Sequence, residues 1–274
     1  MGTTAPSGVA WYVYGVVDAA AEPPAGAAGV ARHVQALTEG GLTALVSPVA
    51  LDEFGEEPVR ARLEDSTWVE EKARAHEAVL EAALGTGAVV PFRFLTVYRD
   101  EAELRNFLAA RGDELLSVLE RVRGKVEVGV KAFADIAALE RSVAGRSPEV
   151  AELDAQIAGA QAGRAYLLQR RRDEAARAES ARLVAEIARD SHARLLAAAF
   201  AGTANAVQPS ELSGRPGQMV LNGAYLVPVA GSDLDRELGA LAEHHAHLGI
   251  SFERTGPWPP YNFVPRDLGA GDDA

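Results

Sequence analysis

The chain has 274 residues, 39 acidic against 27 basic, with a formal charge of −12 and no cysteine. Without thiols there are no disulfides, thiolate metal sites or cysteine nucleophiles, and so acidic a chain repels phosphate backbones, which argues against nucleic acid. No run of about 20 apolar residues is present to span a bilayer, and the opening MGTTAPSGVAWYVYG has no basic n-region, so no signal peptide is expected.

In chain order, Val9–Val17 (VAWYVYGVV) reads as a buried first strand. A Pro/Gly/Ala loop follows, then a short helical turn near Val30–Leu37. Gly40-Gly41 precedes a second strand, Leu42–Val49. Asp52–Pro58 reads as an acidic loop. Arg60–Leu84 reads as a helix with Leu63, Val69, Ala73, His76, Leu80 and Leu84 on one stripe, ended by Gly85-Thr86-Gly87. Ala88–Val97 is a third strand, with Pro91 marking an edge or bulge. Asp100 caps a helix to Ala110, and another runs Asp113–Arg121. Residues 1–123 therefore read as a small N-terminal α+β domain.

Residues 124–274 read as a second domain. Lys125–Phe133 (KVEVGVKAF) alternates, with Val126, Val128 and Val130 on one face and Lys125, Glu127 and Lys131 on the exposed one. Pro148–Phe200 is rich in Ala, Leu, Arg and Glu, which favour helix. It reads as a short helix, a possible break at Gly159 or Gly163, and a helix on the order of 55 Å long. Its middle, Gln169–Arg182, has no large apolar residue. No face of it is expected to pack on a core, so a solvated or partner-facing hairpin or coiled-coil-like arm is expected, with its ends docked on the sheet. Gly202–Val207, Gln218–Val229 and Ile250–Thr255 read as strands, Asp233–His247 as a helix and GPWPPYNFV as a rigid tail. The order β-α-β-β-α-β is that of a modified ferredoxin-like fold, with a helical insertion at about 148–200. The fold class is thus α+β with two domains.

Candidate chemistry is sparse. His244 and His247 share a helical face beside His245 and Glu243. A metal pair is conceivable there, but a helix C-terminus also attracts histidines and no second ligand cluster is visible. His76-Glu77 lacks the second histidine of a zinc-protease motif, and neither a phosphate loop nor a nucleophile elbow occurs. No catalytic, cofactor or metal residue is assigned. The basic band of Arg164, Arg170, Arg171, Arg172, Arg177 and Arg182 reads as a docking surface for an acidic partner or as a solvated helix face. Trp258 and Tyr261, among prolines, read as an exposed binding ledge or a lid over apolar surface. The candidate partner-binding residues are Arg164, Arg170, Arg171, Arg172, Trp258 and Tyr261.

Six stretches carry a resemblance: YVYGVV at Tyr12–Val17, VVPFRFLTVY at Val89–Tyr98, KVEVGVKAF at Lys125–Phe133, GRAYLLQRR at Gly163–Arg171, LNGAYLVP at Leu221–Pro228 and GPWPPYNFV at Gly256–Val264. In this order, and across nearly the whole chain, they resemble the gas vesicle GvpF/GvpL family. Leu95 departs from it, standing where a small residue is common in an RFGT-like strand. The resemblance implies two α+β domains and a non-enzymatic role in gas vesicle assembly. It implies contact with the shell protein GvpA and other accessory proteins, protection of GvpA from aggregation, and support of nucleation. No cofactor is assigned, and the charge and the lack of an apolar span leave no nucleic-acid or membrane partner expected. The implied location is the cytoplasm before assembly and then the vesicle, on the gas-facing side for some members. The competing class is a small-molecule- or metal-binding ferredoxin-like enzyme, since such folds host many functions.

Overall fold

In the computed structural model, which describes residues 8–20, 28–31, 33–145, 147–209, 217–265 and 268, the chain divides into two units. One is formed by the described residues up to Glu127 together with those from Pro257 onward, the other by Val128–Gly256. The sequence reading divides the chain at 123/124 and groups the tail with the second half. Here the tail belongs with the first unit.

In the first unit β1 (Val9–Asp18) pairs antiparallel with β3 (Leu42–Ala50), and β3 with β2 (Gln35–Glu39). β4 (Val89–Pro91) and β5 (Val97–Tyr98) also pair with β1. Residues 35–39 are therefore strand, not the expected helical turn. Gly40 and Gly41 explain this. Both have positive φ, 57° and 85°, as a two-residue hairpin requires, and Glu39 faces Leu42 across them.

The expected acidic loop is instead two short helices, α1 (Leu51–Phe54) and α2 (Glu56–Arg62). Asp52, Glu53, Glu56 and Glu57 occupy their first turns, where the helix dipole favours negative charge. α3 (Ser66–Thr86) starts afresh, because the Asp65 carboxylate accepts from the Thr67 and Trp68 N–H groups. The helix expected from Arg60 is thus interrupted, and Leu63 leaves the stripe to stand 53% exposed. Asp100 caps α4 (Glu101–Ala110) as expected, accepting from Glu103 N–H at 2.8 Å, and α5 (Gly112–Val122) follows.

Both faces of this sheet are covered. The register against β3 slips between Val13 and Gly15, so Tyr14 is an extra residue. Such a bulge switches side-chain parity. Ala10, Tyr12 and Tyr14, and then Val17, thereby share one core with Val79, Leu80 and Ala83 of α3. Val13 and Val16, of opposite parity, are equally buried. α4 and α5 also pack on β1.

The expected strand Ala88–Val97 is split by a loop that turns through Leu95. Among the described non-glycine residues, Leu95 alone has positive φ, 68°. This is the position where the resemblance expects a small residue, and a left-handed side-chain-bearing residue costs about 1–2 kcal/mol. Leu95→Gly is therefore expected to be more stable than Leu95→Ala by about 1 kcal/mol, the reverse of the usual order. Urea midpoints of the two variants check this; an alanine variant that is the more stable contradicts it.

In the second unit the sheet order is β7 (Ala201–Ala204), β8 (Gln218–Pro228), β6 (Lys125–Ala134), β9 (Ile250–Trp258). Asp135 caps α6 (Ile136–Ala144), accepting from Ala138 N–H. Ser147 and Pro148 open α7 (Pro148–Ala158), and after a short turn α8 runs Ala162–Ala197. α9 (Leu234–His245) continues into a 3-10 turn. Residues 210–216, within the expected Pro/Ser/Gly turn, lie outside the described residues. In its C-terminal half α8 supplies Leu183, Val184 and Ile187 to a core with Leu139, Leu248 and Ile250. Gly223 leaves room for the Tyr225 ring, whose atoms lie within 2.6–2.8 Å of where a Cβ would stand. The Tyr225 hydroxyl meets His192 Nδ1 at 2.8 Å.

α7 folds back along α8. Val150 and Leu153 are buried from one side, Leu168, Ala176 and Ser180 from the other. This corrects the expectation that the middle of the arm packs on no face. Ala176 and Ser180 fall inside Gln169–Arg182, and small side chains let helices approach closely enough to bury a surface without large apolar groups.

Candidate partner-binding surfaces

The tail of the first unit is held by a directed chain of hydrogen bonds. Tyr261 Oη donates to Glu77 Oε1 at 2.8 Å. Its one proton is then committed, so at the 3.2 Å contact it accepts from His76 Nε2–H. His76 Nδ1 therefore accepts from Tyr12 Oη at 2.8 Å, and Tyr12 Oη in turn accepts from Leu95 N–H at 3.2 Å. With the ring neutral, the proton sits on Nε2. Burial agrees: it pushes the His76 pKa from 6.5 to about 4, against a Phe92 backbone hydrogen bond that favours the charged form. Burial also raises Glu77 above the usual carboxylate range, opposed by the Tyr261 hydrogen bond.

Beside this chain, Glu127 accepts from the Asn262 N–H at 2.8 Å and from Asn262 Nδ2 at 2.7 Å. Glu127 is only 6% exposed. The expectation that it lies on a solvated strand face is corrected: the face is covered, and its carboxylate holds the tail. Burial raises its pKa, and the Asn262 hydrogen bonds oppose the rise. Arg121 also donates to the Phe263 carbonyl. Of the two aromatic candidates, Tyr261 packs on the core cluster, while Trp258 is 38% exposed at the end of β9.

The arginine candidates lie in the second unit, all on α8. Arg172 is half-buried and paired with Asp154 and Asp173 at 3.1 and 3.3 Å. Arg182 pairs with Glu179 and Glu186, and Arg177 donates to the Asp173 carbonyl. Arg164, Arg170 and Arg171 are exposed. The band thus separates into a self-satisfied stretch and a tip. Two neighbours at that tip, Tyr166 and Leu167, escape the sequence reading because helical periodicity cannot tell an outward apolar residue from an inward one.

A second apolar surface lies where α8 leads into edge strand β7. Leu196, Phe200 and Val229 are 40%, 59% and 64% exposed. Phe200 and Pro228 line one groove with Ala197–Ala199. β7 itself is short and uncharged (Ala-Gly-Thr-Ala), and it ends the sheet order. Such an edge carries none of the charges that usually discourage strand addition.

His245, the middle histidine of its cluster, is buried, and burial lowers its pKa, with His244 adding to the effect. Among the described residues no group of three or more His, Asp or Glu is placed to hold a metal ion. Among them, too, no helix is long and apolar enough to cross a membrane.

The sequence profile of the family described as gas vesicle synthesis protein GvpL/GvpF matches residues 10–265. The chain belongs to the GvpL/GvpF family. Gas vesicle protein L of Streptomyces sp. is 36% identical to this family member over 242 residues, covering 88% of this chain and 87% of that one. Gas vesicle protein F of Streptomyces sp. is 29% identical, covering 92% and 98%. The crystal structure of gas vesicle protein GvpF from Anabaena sp. superposes with a TM-score of 0.70 at 17% identity, over 93% of this chain and 98% of that one. The fold of this family member is therefore that of a gas vesicle protein, mixed α/β with two antiparallel sheets, and a gas-vesicle-associated role follows from the family.

Proposed function

We propose that this chain is a non-enzymatic accessory protein of gas vesicle assembly that binds the shell protein GvpA, limits its aggregation and supports nucleation. The observation that carries the reading is the apolar surface of Leu196, Phe200 and Val229 beside the uncharged edge of β7, in a chain of this family. A shell subunit carries a large apolar face before assembly, and such a face aggregates unless covered. A sheet edge without charged side chains can accept an extended strand through backbone hydrogen bonds while the adjoining side chains take its apolar residues. The order β7-β8-β6-β9, with α8 and α9 between strands, supports reading the second unit as a modified ferredoxin-like domain with a helical arm. The proposed location is the cytoplasm before assembly and the gas-facing side of the shell after it. Cofactors, nucleic acid and membranes have no part in this reading. Co-expression of GvpA with the intact chain tests it: soluble GvpA is expected to co-purify with the chain, and GvpA found wholly in the pellet contradicts it.

A further inference from the structure

We propose that the tip of the α7–α8 hairpin docks an acidic amphipathic helix of another protein. Arg164, Arg170 and Arg171 are exposed and make no hydrogen bond or ion pair with any described residue, although the chain carries 39 carboxylate side chains. Farther along the same helix, Arg172 and Arg182 are taken up by Asp154, Asp173, Glu179 and Glu186. Arg171 shares a groove with Glu149 and Glu174, yet pairs with neither. The unpaired cations flank two of the most exposed large apolar side chains among the described residues, Tyr166 at 65% and Leu167 at 61%.

Spacing defines the partner. Arg164, Leu167 and Arg171 stand at i, i+3 and i+7 on α8, so two guanidinium groups bracket a leucine over about 10 Å of helix. Tyr166 and Arg170 form a second pair at i and i+4. A helix laid alongside, with carboxylates two turns apart and leucine-like residues between them, matches both the charge and the apolar contacts. Arginine grips carboxylate in a fork, and tyrosine and arginine dominate the energetics of such contacts. Patch size and net charge favour a peptide over a phosphate surface. A phosphate backbone or anionic bilayer would also meet the rest of this −12 chain. The proposal rests on reading the chain as an assembly factor that gathers proteins, but its test involves no shell protein, so either can fail alone.

The probe is a synthetic helical peptide of about five turns, with glutamates two turns apart flanking leucines, titrated into the full chain and followed by calorimetry and by the NMR signals of α8. Binding is expected to shift the signals of residues 162–171. It is expected to weaken at least about tenfold in R164Q/R170Q/R171Q, and by a similar factor in Y166A/L167A. It is also expected to weaken between about 50 and about 300 mM salt. The substituted side chains are exposed, so unchanged thermal melting is expected and verifies folding. A peptide that does not bind, or binds the triple variant as well as wild type, overturns the proposal. So does a glutamine-for-glutamate peptide that binds equally, or tip-dependent binding to phosphatidylglycerol vesicles that is tighter than binding to the peptide.

Discussion

Asn262→Ala is expected to cost about 1.5–3 kcal/mol at neutral pH, the range for losing a hydrogen bond to a buried charge. Asn262 Nδ2 reaches Glu127 Oε1 at 2.7 Å, and Glu127 is buried. The variant keeps the backbone N–H donor but leaves one carboxylate oxygen without its partner. The pH dependence follows from the direction of the shift. Burial already holds the folded Glu127 pKa above its unfolded value, and the Asn262 hydrogen bonds pull it down. Removing one of them raises the folded pKa further. The ionised carboxylate is then a larger cost above that pKa, and the cost disappears as pH falls through it, because a protonated Glu127 needs fewer donors. Urea unfolding of wild type and variant near pH 7 and near pH 4.5 measures this, and Glu127→Leu in the same chain should restore most of the loss at neutral pH. An equal loss at both pH values, or none at either, contradicts the anchoring role.

His76→Phe is expected to cost about 2–4 kcal/mol at neutral pH, since Tyr12 and Tyr261 each lose their contact with the ring inside the core. It should also remove a pH dependence. The folded pKa is about 4 against 6.5 unfolded, so between those values the unfolded chain holds the extra proton. Stability contributed by neutral His76 is complete above 6.5 and declines by up to about 3 kcal/mol as pH falls toward 4. His245, also held below its ordinary value, acts in the same direction. Glu77 and Glu127, held above theirs, act oppositely. The wild-type slope is therefore mixed, and the difference between wild type and variant isolates His76. Urea unfolding across pH 4–7, with the His76 ring followed by NMR, checks it. A ring that titrates near 6.5, or variant and wild-type slopes that coincide, contradicts the assignment.

The regular parts of the fold were legible because local chemistry and tertiary packing agree there. Asp100, Pro148 and the Val-rich run Val9–Val17 all act where their residue types point. The failures have physical causes. Gly40-Gly41 reads as simple punctuation, but its two left-handed glycines set a hairpin. The acidic stretch Asp52–Pro58 reads as a loop, but its charges stabilise two helix starts. The division of the chain falls inside β6 and β9, after Glu127 and after Gly256, where no linker composition marks it. Among the candidate residues, the arginines were visible as a run. That Arg172 is paired while Arg164, Arg170 and Arg171 are not depends on Asp154, which α7 brings alongside. Tyr261 was visible as an aromatic residue among prolines. Its hydrogen bond to Glu77, 184 residues away in sequence, was not.

If the chain covers an apolar shell subunit as proposed, it should hold that subunit in solution. Denatured GvpA is diluted into buffer with an equimolar amount of the intact chain, and the GvpA left in the supernatant after centrifugation is measured. GvpA is expected to stay in solution with the wild-type chain and to sediment with a folded F200E/V229E variant. Sedimentation in both cases, or equal protection by both chains, rules out this role for the Phe200–Val229 surface.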